Sequence, residues 1–205
     1  NIALGSLVQT WRIGFADARI PNNAEVTHAL SLTDPQLIEL DPRSCTVFLA
    51  KEGMKLDLGC LAKGYIADKI ADYLKSQHVM SALINLGGNI KTIGANVLAN
   101  RPWQIGIQDP RQPRGTNLAV LPISNQSVVT SGTYERKLQV NEHTYHHILD
   151  RKTGYPVDTQ LASITIISDN SLDGEIWTTR LYGEKPRQLL ARVEQEKGIE
   201  VLIVT

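Results

Sequence analysis

The sequence predicts an α+β domain with a mainly antiparallel sheet and packed helices. Short strand-like segments follow one another along the chain with Gly-rich and Pro-rich turns between them, and only a few helical patterns interrupt them. Runs of adjacent strands favour this class over a doubly wound sheet, in which strands and helices alternate. The chain has 205 residues, 42% of them hydrophobic, which is enough for one full core and short for two. We therefore predict a single domain over residues 1–205.

The helices are predicted from apolar residues spaced three to four apart. The clearest pattern covers residues 61–76 and places Ile66, Ile70, Tyr73 and Leu74 on one stripe. The other helices are predicted over residues 24–32, from near Asp173, and over residues 186–197.

The strands are predicted from short apolar runs that turn residues bound. Residues 45–50 and 54–59 flank the turn-rich Lys51-Glu52-Gly53 and predict a hairpin. A buried strand over residues 80–86 ends at Gly87-Gly88. Further strands are predicted at residues 90–94, 103–109, 118–123, 127–131, 134–140, 143–149, 161–168 and 199–205.

The charge composition disfavours nucleic acid as a nonspecific binding partner. Lys plus Arg and Asp plus Glu both number 21, so the formal net charge is zero. The broad basic field that nonspecific nucleic-acid binding needs is therefore absent.

The two cysteines, Cys45 and Cys60, lack a CxxC spacing and are expected to be small buried residues rather than a disulfide pair. The chain opens within an apolar pattern and without Met, so we expect the N-terminal part of the domain to lie outside this sequence.

Residues 56–69, LDLGCLAKGYIADK, predict a strand that turns at Gly59 into a helix. Backbone N–H groups and the helix dipole favour an anion at such a junction, and Lys63 adds a full positive charge. Asp57 is suited to bind a sugar hydroxyl or a ring N–H. The stretch matches neither a Walker A motif nor GxGxxG, so a tight turn with a solvated Lys63 is the alternative interpretation.

Two further stretches have residues suited to ligand contact. Gly87 and Gly88 follow a hydrophobic strand and permit close approach of a ligand or a backbone with positive φ. Thr130 and Ser131, in TSGTYER, follow another strand and carry hydroxyls that could hold a phosphate or a carbonyl. Each stretch is also compatible with a simple turn.

Three of the five histidines fall between His143 and His147. An imidazole with an ordinary pKa of about 6.5 can take a proton from a hydroxyl near neutral pH. No Ser or Cys lies in a nucleophile-elbow setting, so a hydroxyl activated by His147 would belong to a substrate. Alternatively, His146 and His147 alternate across a strand, one buried and one solvated. Metal binding by His143 and His147 is disfavoured, since the HxxxH spacing is stretched in a strand.

Residues 171–183, SLDGEIWTTRLYG, contain a possible metal site. In a helix that starts at Asp173, Glu175 and Thr179 are four residues apart and share one face. Carboxylate and hydroxyl oxygens suit Mg²⁺, which keeps waters and reaches substrate phosphates. The alternative is a capping motif with Asp173 as the N-cap.

Together and in this order, six stretches resemble the ApbE-type flavin transferases, the FAD:protein FMN transferases. No single stretch decides the resemblance, but all six occur at the family's relative spacing. The resemblance covers nearly the whole chain. The six are NIALGSLVQTWRIG, LDLGCLAKGYIADK, INLGGNI, TSGTYER, YHHILDRKTGYPV, and the Glu-x-x-x-Thr of residues 175–179.

The resemblance implies a Mg²⁺-dependent enzyme that cleaves FAD between its phosphates, releases AMP and attaches FMN to a threonine of a target protein. Phosphoryl transfer needs positioning and charge neutralisation more than covalent catalysis, and this agrees with the residue types present. Hydrolysis of FAD to FMN and AMP, storage of FAD without turnover, and conventional flavoprotein redox chemistry are the alternatives.

The resemblance also implies roles for single residues. His147 would be the base that deprotonates the acceptor threonine, and His146 would not. The side chains of Glu175 and Thr179 and the backbone carbonyl of Cys60 would bind Mg²⁺. The expected FAD contacts are Asn1, Asp57, Lys63 and Leu149, with Gly87, Gly88, Thr130 and Ser131 in the same binding region.

One departure from the family pattern concerns the metal ligand. The family commonly has Asp at the position of Glu175, and the extra methylene would move the carboxylate by over ~1 Å. Asp173 is a possible substitute ligand.

The resemblance further implies an envelope redox protein as target, with an acceptor motif like Asp-Gly-x-x-Ser/Thr-Gly-Ala-Thr. It also implies an extracytoplasmic, lipid-anchored location for the protein.

Overall fold

The computed structural model describes residues 1–133, 136–141 and 143–205. The chain divides into two compact units. The first unit comprises Asn1–Leu58 and Thr133–Asp158, and the second comprises Gly59–Gly132 and Thr159–Thr205. Among the described residues, no helix is long and apolar enough to cross a membrane.

The described part of the first unit contains two α-helices and two hairpins. A 3₁₀ turn leads into helix α1, α2 follows a loop, and each hairpin consists of one antiparallel pair. The elements are α1 (Gly5–Trp11), α2 (Asn23–Leu30), β1 (Ile38–Asp41), β2 (Thr46–Leu49), β8 (Lys137–Val140) and β9 (His143–His146).

The core of the first unit forms around Trp11, which is fully buried with Leu7, Ile13, Val26 and Ala29. Helix α2 begins with a capping box, in which Asn22 and Glu25 exchange side-chain and backbone hydrogen bonds. Its predicted span of 24–32 is close to the observed one. The capping box satisfies N–H groups that the first turn leaves without helical partners.

The second unit is built on a five-stranded antiparallel sheet in the order β11-β10-β7-β4-β3. A separate hairpin joins β5 and β6, and three helices accompany the sheet. The elements are α3 (Ala62–Ser76), β3 (Ala82–Leu86), β4 (Asn89–Ile93), β5 (Trp103–Gln108), β6 (Asn117–Ile123), β7 (Ser127–Gly132), β10 (Ser163–Ser168), α4 (Ser171–Leu181), α5 (Pro186–Val193) and β11 (Ile199–Val204).

The structure corrects the predicted hairpin of residues 45–50 and 54–59. β2 pairs with β1, with Asp41 opposite Thr46, and residues 54–58 form no strand. The Asp41 carboxylate accepts hydrogen bonds from the Arg43 N–H at 2.9 Å and the Ser44 hydroxyl at 2.7 Å, which favours a turn before β2. The Lys55 carbonyl instead accepts a hydrogen bond from the Gly5 N–H at 3.1 Å.

The predicted apolar stripe of α3 is only partly correct. Ile66 and Tyr73 are exposed, and the buried positions are Gly64, Ala67 and Ala71. A Cβ on Gly64 would lie 2.6 Å from the Ser171 carbonyl oxygen, so α3 approaches α4 more closely than a larger residue allows. Small residues therefore define the packed face of this helix.

Two more expectations are corrected. Cys45 is exposed rather than buried, in the turn between β1 and β2, and Cys60 is half-buried. Helix α4 begins at Ser171, and Asn170 rather than Asp173 is its N-cap. The predicted strand over residues 134–140 is observed as β8, but Tyr134 and Glu135 lie outside the described residues.

Candidate active site

Glu175 is a buried carboxylate in the middle of α4, with 4% of its surface exposed. Its Oε1 accepts a hydrogen bond of 2.8 Å from Nδ2 of Asn89 on β4. The same oxygen lies 3.4 Å from Nζ of Lys63, in the first turn of α3. The Lys63 side chain is 43% exposed, so one partner of this carboxylate is buried and the other reaches solvent.

The Asn89 amide has one possible orientation in this arrangement. Asn89 is 1% exposed, and its Oδ1 accepts a hydrogen bond of 2.6 Å from the Ser171 hydroxyl. Reversing the amide would set its oxygen against the Glu175 carboxylate and its NH₂ against the hydroxyl. Ser171, Asn89 and Glu175 therefore form a directed chain of hydrogen bonds from the start of α4 to its middle.

The beginning of α4 is fixed by a charged pair from α3 and β4. The Asp68 carboxylate accepts hydrogen bonds from the N–H groups of Ser171 at 2.8 Å and Leu172 at 2.9 Å. Lys91 is buried, lies 3.7 Å from Asp68 and donates to the Asp169 carbonyl. Burial lowers the pKa of Lys91, and the Asp68 charge opposes this shift. A negative charge at a helix N-terminus also interacts favourably with the helix dipole.

The predicted oxygen ligands are of the types that a hard divalent cation prefers. Thr179 follows Glu175 by one helical turn on the same face and is half-buried, as is Cys60 just before α3. The neighbouring Thr178 is fully buried, and its hydroxyl donates to the Glu175 carbonyl at 3.2 Å. A cation that binds Oε1 of Glu175 would have to displace the Lys63 ammonium, and the exposed Lys63 side chain has room to move.

Within the described ranges 1–133, 136–141 and 143–205, no three His, Cys, Asp or Glu side chains gather as a possible metal-binding cluster. A Mg²⁺ site does not require such a cluster, because Mg²⁺ uses one or two carboxylates together with water and substrate phosphates. A site based on Glu175 therefore remains compatible with Mg²⁺. Asp173, the possible substitute ligand, accepts a hydrogen bond from Asn170 at 3.2 Å.

The other candidate residues of the second unit lie at two places in its sheet. Gly87 and Gly88 form the turn between β3 and β4, both with positive φ, and a Cβ on either would meet only open space. The Thr130 hydroxyl on β7 forms a 2.8 Å hydrogen bond with that of Thr165, and Ser131 beside it is half-buried. The Gly87-Gly88 turn is thus accessible to a ligand, and Thr130 already has a partner.

The two adjacent histidines of the first unit differ in their surroundings. His146 is buried, its Nε2–H donates to the Val157 carbonyl at 2.8 Å, and its Nδ1 accepts from the Ile148 N–H at 3.3 Å. Burial lowers the pKa of His146, with the hydrogen bond to Val157 as a smaller opposing cause. Both ring nitrogens of His146 thus have backbone partners, and the expectation that His146 is not the base stays a prediction.

His147 follows β9 and is half-buried. Its Nδ1 lies 3.3 Å from the Arg136 carbonyl, which can only accept, so this contact favours the tautomer with the proton on Nδ1. Nε2 then has the lone pair that a general base needs. This is the tautomer that the predicted role needs, and the role of His147 as a base stays a prediction.

The segment that follows His147 packs on Trp11. Trp11 Nε1–H donates to the Gly154 carbonyl at 2.8 Å, and its ring lies 5.6 Å from the ring of Tyr145 and 5.5 Å from that of Tyr155. Leu149, a predicted FAD contact, packs against the same cluster and bridges to Pro156. Trp11, the last residue of α1, therefore contacts residues on both sides of His147: Tyr145 before it, and Gly154 and Tyr155 after it.

The remaining two predicted FAD contacts of the first unit have structural roles as well. Asn1 is the N-cap of the first 3₁₀ turn, and its Nδ2 donates to the Thr33 carbonyl at 2.9 Å. The Asp57 N–H donates to the Ile2 carbonyl at 2.8 Å. The Asn1 side chain therefore already has protein partners, and the roles of both residues toward FAD stay predictions.

Asn89, Ser171, Asp68 and Lys91 are four further residues of the site, and the motifs in the sequence do not indicate them. All four lie in or beside the stretches that carry the resemblance, but their roles depend on contacts between elements that are distant in sequence. One signal was present: Asn89 and Lys91 are two residues apart in the strand NIKTI, and thus share one face. The strand directly follows Gly87 and Gly88, two of the predicted FAD contacts. Two polar residues on one face of a strand at such a place indicate a buried network of hydrogen bonds.

Comparisons with known proteins assign the family. The sequence profile described as the ApbE family matches residues 1–203. The chain belongs to the ApbE family. The α+β fold predicted for an ApbE-like chain is confirmed by solved structures of the family. The ApbE protein from Thermotoga maritima superposes with a TM-score of 0.88 at 30% identity, over all of this chain and 66% of that protein. The flavin transferase ApbE from Vibrio cholerae gives 0.83 at 26% identity, over all of this chain and 64% of that protein.

Curated ApbE-family relatives carry the name FAD:protein FMN transferase. One from Klebsiella pneumoniae is 47% identical over 205 residues, covering all of this chain and 63% of that protein. One from Treponema pallidum is 35% identical over 216 residues, covering all of this chain and 60% of that protein. The chain thus spans somewhat less than two thirds of the length of these relatives.

Proposed function

We propose that the protein containing this chain transfers FMN from FAD to a threonine hydroxyl of a target protein, in a Mg²⁺-dependent reaction that releases AMP. The observation that carries the proposal is the pair formed by the Lys63 ammonium and the buried Glu175 carboxylate at 3.4 Å. Each is a group that diphosphate chemistry requires, one as a cation and the other as a cation ligand. The name FAD:protein FMN transferase of the relatives gives independent support.

The second unit would neutralise the charge of the diphosphate. Glu175 and Thr179 with the Cys60 carbonyl would hold Mg²⁺, which when bound would draw negative charge from the phosphate oxygens. Lys63 would leave Oε1 of Glu175 and contact the diphosphate from the start of α3. Lys63 is suited to this exchange because its side chain is long and partly exposed, whereas Glu175 is buried and held by Asn89.

The first unit would supply the base. Nε2 of His147 would accept the proton of the threonine hydroxyl as its oxygen forms a bond to the flavin-side phosphorus. The bond between that phosphorus and the bridging oxygen would break, and AMP would leave with the bridging oxygen. The Arg136 carbonyl at 3.3 Å from Nδ1 favours the tautomer that this step needs.

Further FAD contacts are proposed at residues that the family resemblance implies: Asn1, Asp57, Leu149, Gly87, Gly88, Thr130 and Ser131. The proposed target is an envelope redox protein with an acceptor motif like Asp-Gly-x-x-Ser/Thr-Gly-Ala-Thr. The proposed location is extracytoplasmic, with a lipid anchor to the membrane. Both follow from the family resemblance.

The test is a transfer assay with the full-length protein. The protein is incubated with FAD, Mg²⁺ and a redox domain that carries the acceptor motif, and flavin fluorescence is followed in a denaturing gel while AMP is measured by chromatography. A fluorescent acceptor band with an equal amount of AMP supports transfer. The matched control is the same domain with Ala in place of the acceptor Thr, which should stay dark.

The alternatives give different results in this assay. Release of AMP and FMN at the same rate with and without acceptor would indicate hydrolysis instead of transfer. Retention of intact FAD without AMP would indicate storage. Either result would contradict the proposal.

A further inference from the structure

Asn89 is a buried residue whose side chain donates a hydrogen bond to the predicted metal ligand Glu175. We infer that Asn89, oriented by Ser171, is a positioning residue that sets the direction of the Glu175 carboxylate toward a divalent cation. The inference rests on the metal site of the proposed function and adds two residues to it. It is carried by the hydrogen bonds of 2.6 Å and 2.8 Å that link Ser171 to Asn89 and Asn89 to Glu175.

The length of the Glu side chain makes such a residue necessary. Glu175 has one more rotatable bond than Asp, the residue that the resemblance implies is common at this position in the family. Each additional bond gives the carboxylate further orientations, and fixing them costs conformational entropy. The Asn89 amide removes this freedom at Oε1, because it is itself fully buried and cannot rotate without losing the Ser171 hydroxyl.

The chain of hydrogen bonds is anchored independently at its far end. Ser171 is the first residue of α4, and the Asp68 carboxylate accepts its backbone N–H at 2.8 Å. The buried Lys91 faces Asp68 from the same strand as Asn89, two residues along. The position of Asn89 relative to α4 is therefore set by the backbone of β4 and the start of α4, and not by the Glu175 contact alone.

An amide is suited to this place for a chemical reason. Asn89 donates to the carboxylate without adding charge, so Glu175 keeps its negative charge for a cation. A charged donor there would compete with the metal ion, as Lys63 does on the exposed side at 3.4 Å. Partners that orient a metal ligand in this way typically contribute 10- to 100-fold to metal affinity.

The test measures binding of Mn²⁺ alone, without nucleotide, from the electron paramagnetic resonance signal of free Mn²⁺. Asn89→Leu keeps the approximate volume of the side chain and removes both hydrogen bonds. We expect it to weaken Mn²⁺ binding by about 10-fold or more, and Ser171→Ala by a few-fold. Thr92→Val is the matched control, because Thr92 is fully buried on the same strand and bonds the Gln126 backbone rather than Glu175. It should leave Mn²⁺ affinity unchanged.

A double-mutant cycle separates positioning from general damage. In a Glu175→Asp background the shorter carboxylate no longer reaches Asn89, so Asn89→Leu should have little further effect on Mn²⁺ affinity. An Asn89→Leu effect of the same size in both backgrounds would overturn the inference. So would unchanged affinity in Asn89→Leu, or equal weakening by Thr92→Val. If Asn89→Leu does not fold, Ser171→Ala decides, and unchanged affinity in that variant overturns the inference.

The outcome for Asn89 is distinguishable from the outcome for the proposed function. Flavin transfer by the wild-type protein with unchanged Mn²⁺ affinity in the Asn89 and Ser171 variants would reject the positioning role alone. Weakened Mn²⁺ binding in these variants, with no flavin transfer by the wild-type protein, would reject transfer and keep the positioning role. A wild-type protein that binds no Mn²⁺ at millimolar concentration would overturn the positioning role.

Discussion

Glu175 in the second unit and His147 in the first unit are held by different kinds of contact. Glu175 is buried, and Asn89 and Lys63 contact it through their side chains. His147 is half-buried, and the backbone carbonyl of Arg136 contacts its ring at 3.3 Å. Backbone groups remain whatever residues occupy the neighbouring positions, whereas a side-chain network depends on each member. Substitution of Asn89 or Lys63 should therefore disturb the Glu175 carboxylate, whereas the Arg136 carbonyl that contacts His147 remains whatever side chain residue 136 carries.

The largest expected effect comes from changing His147, the proposed base. His147→Ala should slow acceptor labelling by about 10²- to 10⁴-fold, because the variant lacks the proposed base for the threonine proton. Binding of FAD, measured by flavin fluorescence, should stay near the wild-type level. His143→Ala is the control, since His143 is exposed on β9 of the same hairpin. An equal loss of labelling and FAD binding in His147→Ala would show that the residue is structural.

The side-chain network of the second unit should be sensitive at Asp68. Asp68→Asn removes the charge that faces the buried Lys91 and one of the two acceptors at the start of α4. We expect a loss of about 3 kcal/mol in the free energy of unfolding, as for other broken buried pairs. Urea unfolding followed by circular dichroism measures it. Asp72→Asn, at an exposed position of the same helix, should change stability little, and an equal loss there would contradict the assigned role of Asp68.

The buried histidine of the first unit should make stability depend on pH. Because burial lowers the pKa of His146, the unfolded chain binds a proton more readily than the folded one. The stabilisation is thus fully present above the unfolded pKa of about 6.5 and is lost as pH falls below it, at no more than about 1.4 kcal/mol per pH unit. His146→Gln should flatten this slope between about pH 6.5 and 5, measured by urea unfolding at each pH. His143→Gln should keep the wild-type slope.

The smallest expected effect concerns Lys63, the exposed side-chain partner of Glu175. Lys63→Met removes a positive charge 3.4 Å from the carboxylate while keeping most of the side-chain volume. Mn²⁺ binding without nucleotide should become tighter by roughly 2- to 5-fold, the range expected for a solvent-screened ion pair. Lys69→Met, on the same helix and over the ring of Tyr65, is the control. Weaker Mn²⁺ binding in Lys63→Met would mean that the ammonium does not compete for this oxygen.

Local sequence patterns were sufficient for most of the elements. The long helix was predicted within one residue of Ala62–Ser76, and the strands of the large sheet were each predicted in approximate position. Periodicity indicates these elements because a helix or strand with one buried face repeats its apolar residues at a fixed interval. The pairing of β2 was wrong because pairing depends on which turn closes, and the Asp41 turn before β2 competes with the Lys51-Glu52-Gly53 turn after it.

The sequence alone determined the family, the α+β class and the residue types suited to diphosphate chemistry, since these depend on motifs whose order along the chain is visible. Only the tertiary structure decided how Glu175 is held. Two residues of its network lie far away in sequence: Asp68 is 107 positions before Glu175, and Asn89 is 86 positions before it. Folding brings β4, α3 and α4 into contact and so links Asn89, Ser171 and Asp68 to Glu175. A residue's own chemistry can be inferred from its identity, but the orientation of its side chain depends on partners that are distant in sequence.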